Sequence, residues 1–234
     1  MRLKLIACEV LHRELCATVS RSVNQVDVDF LPKGLHDLAS AAMLARLQET
    51  VDSAEGGGYE AVLLGYALCG NGLVGLTARS IPLVVARAHD CVTLFLGSRE
   101  RYLAYFHTHP GVYYKTSGWI ERGHSQDRQI GLQYDDLVER YGEENARYLY
   151  QELTKHYRQF TYIEMGVEPD DRFEQSTRQE AASAGWGFEK VQGDLGLIRR
   201  LVDGPWDERD FLVVPPGSRI VARHDDTILG SEPA

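Results

Sequence analysis

The chain has 234 residues, 44% of them hydrophobic, and a formal net charge of −9. That length fits one large domain or two small ones, a single α/β domain of this size being common, and the composition can bury a substantial core. The acidic balance excludes a broad nucleic-acid surface, which needs clustered basic residues, and no stretch approaches the ~20 apolar residues of a membrane span.

Strand and helix patterns alternate along the chain. "LKLIAC" at 3–8 reads as a short apolar strand, and 9–22 has helical spacing at Val10, Leu11, Leu15 and Val19. "VDVDFL" at 26–31 alternates apolar and acidic residues, as a half-exposed strand does, and 35–54 is a helix ended by the "GGG" of 56–58. "YEAVLLGYA" at 59–67 and "IPLVVAR" at 81–87 are almost wholly apolar and suit central strands covered on both faces. Between them, "CGNGLVGLTARS" at 69–80 reads as a glycine-rich turn leading into a short helix. Residues 89–109 read as helical with a break near Gly97 and Ser98.

The tyrosine-rich stretch 111–123 is bounded by glycines and suits a hairpin or an ordered loop, and 110–131 is the candidate insertion or subdomain boundary. Two helices broken at Gly142 are expected over 132–159. Strands at 160–165, 188–193 and 211–216 are separated by helices at 171–185 and 195–202. Such alternation predicts βαβ units: a mostly parallel sheet with helices on both faces, a Rossmann-like three-layer α/β fold. Residues 1–225 read as a single domain, and the polar stretch 226–234 as a tail expected to fray.

The start of the chain lacks a signal-peptide pattern, so a cytoplasmic location is expected. In that compartment the four cysteines point to metal binding, catalysis or plain burial rather than disulfides. Ligands of open α/β sheets bind beyond the carboxyl ends of the strands. Cys8 ends the first expected strand, Cys69 follows the third, and Cys91 follows the fourth. In a parallel sheet these ends share one edge, with adjacent strands ~4.8 Å apart. Each of the three also sits at the start of an expected helix, whose positive end favours thiolate, and three thiolates together call for a cation. The plain alternative for any one of them is a small buried hydrophobe. Cys16, in mid-helix beside Leu15 and Val19, is expected in the core.

The neighbours of the cysteines offer further chemistry. Gly70 and Gly72 permit positive φ and, with Asn71, expose backbone N–H groups to a carboxylate or phosphate; the alternative is a tight turn with no ligand. The stretch "GNGLVG" mimics a dinucleotide fingerprint only superficially. His89 is a candidate ligand or acid/base, and Asp90 a candidate base or a helix N-cap. The "HTH" at 107–109 suits histidines capping a helix end.

"IACEVLHREL", "GYALCGNGLVGL", "IPLVVARAHDCVTLFLGS" and "GVYYKTSGW" together resemble the family catalogued as domain of unknown function 1638. The likeness covers the first half of the chain closely and the remainder loosely. Its pattern is a cysteine after the first strand, "CGNG" and "HDC", here Cys8, Cys69 to Gly72, and His89 to Cys91. Cys16 and "HTH" lie outside it. The resemblance names no reaction. It implies a setting in one-carbon or methyl-transfer metabolism, because members often occur beside corrinoid methyl-transfer genes, and a corrinoid or methyltransferase protein as partner.

The expected function is therefore a metal-dependent transferase or lyase acting on a small anionic or thiol substrate. Zinc would sit on Cys8, Cys69, Cys91 and His89, with His89 and Asp90 as acid/base groups and Gly70, Asn71 and Gly72 holding the ligand. Three alternatives stand beside it: a [4Fe–4S] cluster on the three cysteines with one open iron, a non-catalytic metal or corrinoid-protein accessory module, and a metal-free enzyme with Cys91 as nucleophile.

Overall fold

The computed structural model describes residues 1–37, 40–122 and 134–234. In chain order the elements are β1 (Arg2–Cys8), α1 (His12–Val19), β2 (Gln25–Leu31), α2 (Ser40–Ser53), β3 (Ala61–Gly65), β4 (Leu83–Ala86), α3 (Cys91–Leu96) and α4 (Arg99–Thr108). There follow β5 (Val112–Lys115), α5 (Ser117–Glu121), α6 (Tyr134–Thr154), β6 (Gln159–Glu164), α7 (Arg172–Ala184), β7 (Gly187–Gln192), α8 (Gly196–Asp203), β8 (Phe211–Val214), β9 (Ser218–Ala222) and β10 (Leu229–Pro233). Single 3-10 turns at Glu9–Leu11 and Lys33–Asp37 precede α1 and α2. Among the described residues, no helix is long and apolar enough to cross a membrane.

By its internal contacts the chain divides into two compact units. The first comprises residues 1–104, 165–167 and 192–234, and the second residues 105–164 and 168–191. The first unit carries a five-stranded sheet in the order β2-β1-β3-β4-β8. Its first four strands run parallel and β8 pairs antiparallel on the edge, a Rossmann-like arrangement. All residues of β3 and β4 are buried, as their unbroken apolar runs require of central parallel strands. Outer strand β2 is mostly half-exposed, and its acidic residues take ion pairs from β1: Arg2 to Asp27 and Lys4 to Asp29.

After β1 the chain steps outward to β2, then returns across β1 to place β3 on its other side. With right-handed crossovers, this reversal puts α1 and α2 on opposite faces, and the carboxyl ends of β1 and β3 at such a reversal are where open α/β sheets hold their ligands. α1 lies beside α8, which packs on β3 and β4.

Two local expectations change. No helix follows Cys69; residues 69–75 form consecutive turns, and 75–78 then pair with β9. Gly75 N–H donates to the Ile220 carbonyl, Ile220 N–H to the Leu76 carbonyl, and Ala78 N–H to the Ser218 carbonyl. The C-terminal segment does not fray. Leu229 to Pro233 pair with Ala222 to Ser218, and Ile228 and Leu229 are each 1% exposed. Buried apolar side chains override the polar look of this stretch. Arg87 ties it down, with Nε donating to the Glu208 carbonyl at 2.9 Å and Nη1 to the Thr227 carbonyl at 2.9 Å.

In the second unit the sheet order is β5-β6-β7. β5 runs parallel to β6, so the tyrosine-rich stretch is a strand followed by α5 and not a hairpin. The rest of the expected insertion, residues 123–131, lies outside the described residues. Gly142 kinks α6 with φ 75° and ψ 161°, at the break read from the sequence.

Candidate functional site

By topology the candidate crevice lies at the β1/β3 reversal, where the loops after β1, β3 and β4 start. Ala7 pairs with Gly65, so the next residues, Cys8 and Tyr66, stand side by side. A methyl group on Gly65 would meet Ala7 and the Leu15 side chain of α1, so this pair faces α1. Strand alternation turns Cys8 and Tyr66 to the other face. Beyond β3, the loop runs hydrogen-bonded to the loop after β4: Leu68 N–H donates to Ala88 and Cys69 N–H to His89, each at 2.9 Å. Cys69 and "HDC" are thereby tied together through the backbone.

The loop that carries Cys69 is left-handed over three consecutive residues, with φ 47° at Cys69, 63° at Gly70 and 70° at Asn71. Left-handed conformations are costly for residues with a Cβ, and they cluster at functional sites. Gly72 is buried, and a Cβ there would strike the Met43 sulfur of α2. Gly70 and Asn71 are exposed at the tip.

Cys8 is 3% exposed, and burial pushes its thiol up to about 11. The Val10 N–H and the Lys33 ammonium pull it back, while Glu9 pushes it further up. Burial likewise pushes Cys69 up to about 12, with an N–H from Ala67 opposing and the nearby Cys8 and Asp90 adding. The expectation that helix starts favour thiolate at these two positions fails. Cys69 precedes no helix and Cys8 only one 3-10 turn, so desolvation outweighs the dipole. Without a cation both thiols stay protonated at neutral pH.

Cys91 is 7% exposed and is the first residue of α3. Asp90 is the N-cap of that helix. Its Oδ1 accepts from Val92 N–H at 3.0 Å and Thr93 N–H at 3.4 Å, and its Oδ2 from the Tyr102 hydroxyl at 2.8 Å. The carboxylate is thus engaged on both oxygens, and the N-cap alternative describes what it does. His89 is exposed, while its carbonyl holds Cys69. Among the described residues, no three His, Cys, Asp or Glu side chains are arranged to hold a metal ion.

Cys16 is exposed, not core. The buried face of α1 consists of Glu14, Leu15 and Thr18, and one further residue of helical rotation carries Cys16 outward, where its sulfur lies 3.8 Å from His12 Nε2. In the second unit, His109 stacks on Tyr105 with ring centroids 4.0 Å apart and pairs with Glu189 at 3.6 Å. That accounts for the second histidine of "HTH" by local packing.

A residue the sequence reading passed over is Tyr66. It is 1% exposed, and its hydroxyl has no hydrogen-bond partner among the described residues. Burial, then Cys8 and Cys69, push its phenol above the usual range, which marks how near it lies to both thiols. The only signal was a hydroxyl at the end of the apolar run "AVLLGYA" at 61–67.

A family model described as "Protein of unknown function (DUF1638)" matches residues 30–202. The chain belongs to that family. The matched span takes in "CGNG" and "HDC" and begins after Cys8. No curated protein and no solved structure matches the chain.

Proposed function

We propose that the β1/β3 crevice is a metal-dependent catalytic centre whose ligands are the thiolates of Cys8, Cys69 and Cys91, with one coordination position left for a small substrate. The observation that carries this reading is the nearness of Cys8 to Cys69: a buried thiol and a half-buried one from neighbouring loops at the reversal, Cys8 adding to the upward push on Cys69 and each receiving a backbone N–H. Backbone donors of this kind stabilise metal-bound thiolates and tune their centre. With His89 exposed and Asp90 capping α3, the three cysteines alone make the ligand set. Zinc in that set would polarise a substrate oxygen or activate a substrate thiol.

A second reading is a [4Fe–4S] cluster with one open iron. It needs only the three cysteines and leaves the exposed His89 outside the ligand set. The family resemblance adds a setting in methyl-transfer metabolism and a corrinoid or methyltransferase protein as partner.

Purification without oxygen, with metal analysis and a visible spectrum, tests the proposal. About one zinc in a colourless protein supports the mononuclear centre, and iron with sulfide in a brown protein supports the cluster. Cys69→Ser and Cys91→Ser should each lose the metal, and Cys16→Ser should keep it. Wild-type protein without metal, or metal retained by Cys69→Ser, would falsify the centre.

A further inference from the structure

Tyr66 carries a buried hydroxyl that the packing around it does not explain. The Ala7–Gly65 pairing sets it beside Cys8, and strand alternation sends both side chains to the face away from α1. The residue is 1% exposed, and its hydroxyl lacks a partner among the described residues. Burying an O–H donor without an acceptor is costly, so a tyrosine kept where phenylalanine would pack equally well needs a reason. Thiols are weak acceptors and do not supply one. The adjacent loop adds a second sign of a binding function, since Cys69 and Asn71 hold left-handed conformations that cost energy. Near Cys8, Lys33 brings a positive charge and Glu9 a negative one.

We infer that the Tyr66 hydroxyl donates a hydrogen bond to an oxygen of the bound ligand, and that the ligand is a small carboxylic or hydroxy acid. This deepens the proposed centre and rests on it for the chemistry, though not for the contact. A carboxylate is the acceptor that rewards a buried donor most, because a charge-assisted bond is about twice as strong as a neutral one. Tyr66 is then a specificity residue: an acid presents the acceptor that a thiol or an amine lacks.

The test compares the full chain, purified without oxygen, with its Tyr66→Phe variant. Acetate, glycolate and malate are the acid probes and 2-mercaptoethanol the thiol probe, each titrated calorimetrically. Metal content is measured on the same samples. The expected result is acid affinity about tenfold weaker or more in Tyr66→Phe, with mercaptoethanol affinity and metal content unchanged. Without probe, the variant should melt at or above the wild-type temperature, because the unsatisfied donor is gone. Equal acid affinity in the two proteins, or no acid binding by the wild type, overturns the inference. So does a variant that melts lower without any probe, since the hydroxyl then has a structural partner. A metal-free wild type defeats the proposed centre alone, because the titration still reads the Tyr66 contact.

Discussion

Gly65→Ala tests the packing that positions the crevice. Gly65 ends β3 opposite Ala7, and a Cβ there would stand 2.5 Å from Ala7 Cβ, 3.1 Å from Ala7 Cα and 3.2 Å from Leu15 Cδ1. Carbon atoms prefer about 3.5–4.0 Å, so β1 and β3 must part locally by about 1 Å. Leu15 can turn away, but Ala7 presents backbone and cannot. Overpacking of this kind costs about 1–3 kcal/mol, against about 0.4–1 kcal/mol gained by removing glycine from the unfolded chain. The net loss is about 1–2 kcal/mol, or about 2–8 °C in melting temperature for a chain of this size. Differential scanning calorimetry or a circular dichroism melt reads it. The control is Gly34→Ala, where an added Cβ meets nothing within 4 Å, so the same exchange should leave stability unchanged or raise it. Because Cys8 and Tyr66 are the next residues along both strands, Gly65→Ala should also weaken acid binding. A Gly65→Ala protein that melts within about one degree of wild type would refute the argument that close strand approach requires glycine here.

Two further outcomes follow from the site. In metal-free protein at pH 8, an ordinary thiol is about one tenth ionised, whereas Cys8, pushed from 9.0 to about 11, is about one thousandth ionised. A chromogenic disulfide reagent should therefore label exposed Cys16 first and Cys8 and Cys69 at least about a hundredfold more slowly, with peptide mapping to assign the sites; equal rates in the folded protein would contradict the burial. Both native values lie above the unfolded one, so the folded state holds these protons more tightly, and metal-free stability should be full below about pH 9 and fall as pH rises towards 11 and 12. Asp90→Ala should cost about 0.5–2 kcal/mol by uncapping α3, and Asp90→Asn should restore most of it because Asn caps as well as Asp. A chemical denaturation series in which Asn and Ala lose the same amount would remove the capping role.

Much of the fold was legible because hydrophobic periodicity survives without tertiary information. The apolar runs at 59–67 and 81–87 became β3 and β4, the break near Gly97 became the left-handed cap of α3, and Gly142 kinked α6 where it was read. The placing of Cys8, Cys69 and Cys91 at strand ends was likewise a matter of counting residues from patterned segments. Segments whose state depends on a distant partner were not legible. The stretch after "CGNG" and the last residues of the chain form extended structure because they pair with β9, and the tyrosine-rich stretch became a strand because β6 lies beside it.

The sequence by itself determined the α/β class and the three cysteines that reach one sheet edge, because both follow from local patterns of burial. Only the tertiary structure decided the strand order, and with it the reversal between β1 and β3 that makes Cys8 and Tyr66 neighbours. It turned Cys16 outward by one step of helix rotation, drew Asp90 into a cap, and left the Tyr66 hydroxyl buried without a partner among the described residues. Desolvation and hydrogen-bond satisfaction depend on what the rest of the chain packs around a group. No local run of residues carries that, so the electrostatic state of the thiols and the idle hydroxyl beside them emerged only with the fold.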